Sequence, residues 1–266
     1  MADARSAIVY VYGVVAASFD AASAPAGIDG AAVELVREGD VSAVVSRVDA
    51  DIFAPDLIEH RVTDLDWLGP RARAHDEILT WVSDRGPVVP FPMFALFSDH
   101  ERVGEALRAR GEELRATLAR IAGAREFGVR VFRITRELEE HMGELSARVA
   151  ELEKAARAAT PGQRYLLERK LEKERATEAR QVSADIARQT LDALAEHARA
   201  SATEPPPRSE SRAGGAILNA FFLVSDDAAA GFRGAVGELS ARLSPKGFRF
   251  EFTGPWPAYH FAGDRA

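Results

Sequence analysis

From Leu138 onward, apolar residues recur as Leu138, Met142, Leu145, Val149, Leu152, Ala156 and Ala159, stepping by four and three in alternation. That step keeps one stripe on one side of a helix, and the stripe must be buried against another helix or a sheet. Thr160-Pro161-Gly162 ends the pattern. A second helical stretch then runs from Gln163 towards Ala200 through Tyr165, Leu167, Leu171, Val182, Ile186, Leu191 and Leu194. Two long helices joined by a short turn predict an antiparallel hairpin over residues 136–200, its first arm about 36 Å long at 1.5 Å per residue. The hairpin carries 12 basic and 13 acidic residues, most densely at 168–180. Their signs alternate and no aromatic side chain is interleaved, so the block reads as a solvated helix face rather than an RNA or phosphate surface.

The flanks mix strand and helix. Residues 7–15, 33–38 and 41–48 are β-branched or aromatic runs, and Gly39-Asp40 between the last two suits a tight hairpin. Residues 16–32 read as a loop. A helical period begins at Asp56, with a break expected at Gly69-Pro70 and an end at Gly86-Pro87. In Val88 to Phe97, Pro90 and Pro92 forbid a central strand. Ser98, with Glu101 three residues on, predicts a capping box for a helix ending near Ala122. Residues 126–134 are a strand, and the hairpin is followed by a polar linker at 202–214. A strand at 216–224 comes next, then a helix from Asp226 or Asp227, capped by Ser225 or an Asp, to Leu243. The last strand is 248–253, ended by Gly254-Pro255. The class is therefore α+β in two domains, 1–124 and 125–266. The second resembles a ferredoxin-like unit with a long helical hairpin inserted in its first crossover and one strand missing or displaced.

Composition narrows function. The formal charge of -7 argues against a general nucleic-acid binder. The absence of cysteine removes disulfides, thiol nucleophiles and thiolate metal sites. No apolar run reaches the roughly 18 residues of a membrane span, and the N-terminus carries no basic segment before its first strand, so the expectation is a cytoplasmic chain. There is no phosphate-binding loop, dinucleotide fingerprint or nucleophile elbow. The six histidines are scattered. His75-Asp76-Glu77 is the densest acid–base group, but neighbours on a helix point in different directions, so a structural or solvated role is expected. No catalytic residue, metal site or cofactor follows.

Two apolar segments stand out. Phe91, Phe94 and Phe97 lie in the proline-broken stretch, either plugging a domain or meeting a partner. Trp256, Tyr259 and Phe261 lie in a tail at 254–261 whose prolines hold it extended, either stapling the two domains or docking elsewhere.

Several motifs occur together and in order: Tyr-Val-Tyr-Gly-Val-Val (10–15), Ala-His-Asp-Glu-Ile-Leu (74–79), Val-Val-Pro-Phe (88–91), Gly-Gln-Arg-Tyr-Leu-Leu-Glu-Arg-Lys (162–170) and Gly-Pro-Trp-Pro-Ala-Tyr-His-Phe (254–261). This chain resembles the gas-vesicle protein F/L family over nearly its whole length. The resemblance implies a non-enzymatic accessory protein of gas-vesicle assembly that binds the small hydrophobic shell protein and other accessory proteins. It also implies a place in the cytoplasm and at the gas vesicle. In the middle motif the family carries Arg and Gly where this chain has Pro92 and Phe94, losing a charge and a flexible backbone point. The residues by themselves also leave open a small-molecule-binding or enzymatic ferredoxin-like protein, or a scaffold acting through its hairpin.

Overall fold

β-Branched and aromatic residues favour the pleated backbone over the helix, and strand β1 (Ala7–Ala16) is the centre of the first sheet. The structure, a computed structural model, describes residues 7–205 and 215–263. β2 (Val33–Glu38) and β3 (Val41–Asp49) form the expected hairpin, with Gly39 at φ +56° in the turn. β3 pairs antiparallel with β1, while β4 (Val89–Pro90) and β5 (Leu96–Phe97) pair with the other side of β1. A bulge between Val11 and Gly13 re-aims β1. Tyr10, Tyr12 and Val15 therefore share one core cluster, and Val11 and Val14 face a cavity on the other side. Both faces are covered, which is why β1 reads as an apolar run rather than an alternation.

Helices α1 (Pro55–Arg61) and α2 (Leu65–Ser83) part at 62–64, not at Gly69-Pro70. The Asp64 carboxylate accepts the N–H groups of Asp66 and Trp67 and restarts the helix. Pro70 is the sixth residue of α2, where it removes one ladder hydrogen bond without ending the helix. Helix α3 (His100–Ile121) is capped by Asp99, not Ser98. The Asp99 carboxylate accepts the Arg102 N–H at 2.9 Å, and Ser98 donates to Asp99 at 2.8 Å. A charged acceptor outcompetes the hydroxyl, so the capping box with Glu101 falls out of register.

The next elements are β6 (Ala124–Arg133), α4 (Thr135–Leu145), α5 (Ala147–Ala158), α6 (Pro161–Ala195), β7 (Ala200–Thr203), β8 (Ala216–Ser225), α7 (Ala229–Leu243) and β9 (Phe248–Trp256). Their sheet runs β7-β8-β6-β9. The first arm of the hairpin is two helices rather than one. Ser146, extended at φ -127° and ψ 116°, accepts the Val149 N–H at 3.2 Å and donates to Glu178 of α6 at 2.7 Å. The seam nevertheless continues across the break: Leu138, Met142, Val149, Leu152 and Ala156 are buried, with Leu145 partly so. In the charge block Arg169 pairs with Glu172 along α6, and Arg175 reaches across to Glu153 on α5.

Strand β7 was not expected from the sequence. It falls on the end of the expected hairpin and the start of the expected linker, and pairs antiparallel with β8 from Ala200↔Leu223 to Thr203↔Ala220. Residues 206–214 of that linker lie outside the described residues. Helix α7 starts at Ala229 without a side-chain cap, so neither Ser225 nor the two aspartates cap it. β9 continues through Pro255 to Trp256, past its expected end. It is the last strand of its sheet, where a proline is tolerated. The chain forms two compact units, one up to Glu126 together with Pro255 onward, the other Phe127–Gly254. The tail thus packs with the first unit, whereas the sequence grouped it with the second.

Candidate functional site

Helix α2 turns His75, Ile78, Leu79 and Val82 into the first core. His75 is 1% exposed, and burial pushes its imidazole down to about 4, so it is neutral near pH 7. Its Nδ1 lies 2.8 Å from the Tyr10 hydroxyl, and it also bonds the backbone of Phe91. A neutral ring carries one N–H. The Tyr10 hydroxyl donates to Nδ1 or accepts from it according to which nitrogen carries that hydrogen. The Tyr10 oxygen in turn accepts the Phe94 N–H at 3.2 Å, and burial holds its phenol above the usual tyrosine range. Two more bonds join this segment to β1, from the Phe91 N–H to Tyr12 O at 2.8 Å and from the Val11 N–H to Ala95 O at 2.9 Å. His75 thus clamps the 88–97 segment through Tyr10, whose hydroxyl meets both the imidazole and the Phe94 N–H.

Phe91 and Phe97 line an apolar cavity of about 100 Å³ with Val11, Val14, Ala43 and residues of α3. Phe94 belongs to the other side of the sheet. Its ring stacks on Trp67 at 5.6 Å and 22°, and the Arg71 guanidinium lies 4.4 Å from the same indole. Phe94 adopts φ +63°, a left-handed backbone in a residue that carries a side chain. That conformation costs about 1–2 kcal/mol in a residue with a side chain, offset here by the stack and by the bond to Tyr10.

The tail is held by Glu126. This carboxylate is 2% exposed and accepts the His260 backbone N–H at 2.7 Å, while its other oxygen lies 2.5 Å from His260 Nδ1. Pro257, Ala258, Phe261 and Ala262 are buried, whereas Trp256 and Tyr259 are 45% and 38% exposed. Desolvation, with the nearby charges of Asp76 and Glu126, holds the Tyr259 phenol above its usual range. The six sequence candidates thus occupy three environments: Phe91 with Phe97, Phe94 with Trp67, and the tail. Phe261 is an anchor, and Trp256 and Tyr259 present aromatic surface. Tyr10, His75, Glu126 and His260, which organise these places, were not among the candidates, because their partners lie far away in sequence. Among the described residues no group of three or more His, Asp or Glu is placed to hold a metal ion, and no helix is long and apolar enough to cross a membrane.

The family model described as gas vesicle synthesis protein GvpL/GvpF matches residues 8–263. Gas vesicle protein L of Streptomyces sp. (strain CB03234) is 32% identical over 240 residues, covering 89% of this chain and 85% of that protein. The crystal structure of GvpF from Microcystis aeruginosa matches with a TM-score of 0.68 at 16% identity, covering 96% of this chain and 99% of that one. GvpF from Anabaena sp. PCC7120 gives 0.69 at 17% identity, covering 98% of each chain. At these identities the solved structures speak for the fold, helices with two antiparallel sheets. With the family model spanning nearly the whole chain and the Streptomyces relative supporting it, this chain belongs to the GvpL/GvpF family of gas vesicle proteins.

Proposed function

We propose that this chain is a non-enzymatic accessory protein of gas-vesicle assembly that holds the hydrophobic shell protein and meets other accessory proteins at the vesicle. Family membership over residues 8–263 carries the reading. A shell subunit that must line a gas space is amphiphilic and would aggregate before incorporation, so a partner has to cover its apolar surface reversibly. Trp256 and Tyr259 suit that task. They are exposed aromatics on a tail fixed by Glu126 and Phe261, so little further ordering is needed on binding. The order β7-β8-β6-β9, with α4 to α6 between the first two strands in sequence, supports reading the second unit as a ferredoxin-like domain with an enlarged crossover. The two compact units support a two-domain chain.

The test is co-purification of the shell protein with the wild-type chain and with the Trp256→Ala/Tyr259→Ala variant. Truncating two aromatic anchors should weaken capture by about tenfold or more, with the thermal melt nearly unchanged. Undiminished capture by the variant would remove these side chains from the interface. Absence of capture by the wild type would remove the function itself.

A further inference from the structure

We propose that the open edge of β9 pairs with β9 of a second copy of this chain, antiparallel and centred on Phe250, fusing two four-stranded sheets into one.

β9 ends the strand order β7-β8-β6-β9, and no strand among the described residues follows it in that sheet. Its backbone phase is fixed on the inner side, where the Ile134 N–H donates to Gly247 O at 2.8 Å. Backbone groups alternate sides along a strand, so those of Phe248, Phe250 and Phe252 point to the open edge. Each of the three keeps its N–H. The side chains alternate as well: Phe248 and Phe250 pack into the core of this unit, and Phe252 stacks on Phe127 at 5.5 Å while 37% exposed. Arg249 and Glu251 occupy the opposite face.

An edge strand is ordinarily protected by charges that repel a second copy. Here the two charges flank Phe250 with opposite sign. In an antiparallel pair centred on Phe250, Arg249 faces Glu251 of the second copy, and Glu251 faces its Arg249. The phase places these contacts well. Phe250 opposite Phe250 is a hydrogen-bonded pair on the two-fold axis, so the flanking charge pairs fall at non-hydrogen-bonded positions, where side chains approach more closely. The register is selective, since a centre on Arg249 or on Glu251 would put like charges face to face. Within one chain the Arg249 guanidinium already meets Glu251 at 2.5 Å and lies 4.4 Å from the Phe132 ring, so both charges are held at the edge. A two-fold pairing of this kind closes on itself and removes both β9 edges.

The experiment is sedimentation of the full chain across a concentration series. The wild type should dimerise. Arg249→Glu and Glu251→Arg should each weaken the dimer on the order of tenfold or more, because each places two like-charge pairs across the axis. An equimolar mixture of the two single variants should regain the dimer as a heterodimer, each chain supplying the charge that the other lacks. The double variant should regain it alone. Recovery on mixing also shows that both single variants are folded. A wild type that stays monomeric throughout, a dimer indifferent to the single reversals, or a mixture that stays monomeric would each overturn the proposal.

Discussion

Burial of a neutral histidine makes stability depend on acidity. The His75 imidazole titrates near 4 in the folded chain against an ordinary 6.5, so the unfolded chain takes up a proton that the native chain refuses. Above about pH 6.5 both states are neutral and the burial costs nothing in this linkage. As pH falls towards 4, stability drops by up to ~1.4 kcal/mol per pH unit. The loss from this one group reaches about 2 kcal/mol near pH 5 and ~3 kcal/mol near pH 4. His75→Gln removes the titration. Near neutral pH the variant should be less stable by about 1–3 kcal/mol, because the Tyr10 hydroxyl and the Phe91 carbonyl lose well-placed partners. Urea unfolding of both proteins at several pH values below neutral reads the difference. The wild type should lose stability faster on acidification, by one proton's slope, so that the gap closes towards pH 5. Parallel pH profiles for the two proteins would show that His75 does not titrate as a buried neutral base, and the clamp described above would fail with it.

The hairpin seam and the tail make further separable claims. Val149→Ala should cost about 2 kcal/mol, two buried methyl groups plus the space they leave, and Leu145→Ala should cost less per group removed because Leu145 is only partly buried. Wild-type unfolding midpoints in both would mean that the seam is not packed. In the tail, Phe261→Ala should cost about 3–5 kcal/mol and Trp256→Ala no more than ~1 kcal/mol. The reverse ranking in thermal melts would contradict the division into anchor and presented surface.

Much of this fold is written locally. Gly39-Asp40 between two apolar runs could hardly be anything but a hairpin turn, and the 4-3 stepping from Leu138 to Ala156 fixed a buried stripe. What escaped the sequence was decided by partners remote along the chain. The hairpin's first arm breaks at Ser146, whose hydroxyl both caps α5 and reaches Glu178 on α6; a period count sees only the continuing seam. β7 is Ala-Ser-Ala-Thr, four residues with no large apolar side chain to announce a strand, and pairing with β8 confers its conformation. For His75 the sequence left a structural hydrogen bond and a solvated face equally open, and only the fold brings Tyr10 against it. The tail aromatics were legible as a group, but not their division of labour, because Glu126 determines which of them are drawn in. The left-handed Phe94 was equally hidden, since a phenylalanine gives no sign of positive φ.

The central claim is that this chain keeps the hydrophobic shell protein from aggregating, with Trp256 and Tyr259 touching it. Light scattering from purified shell protein, diluted out of denaturant into buffer with or without a stoichiometric amount of this chain, measures that directly. The wild-type chain should suppress scattering, and the Trp256→Ala/Tyr259→Ala variant should suppress it far less at an equal melting temperature. Scattering unaffected by the wild type, or suppressed equally by both, would contradict the account.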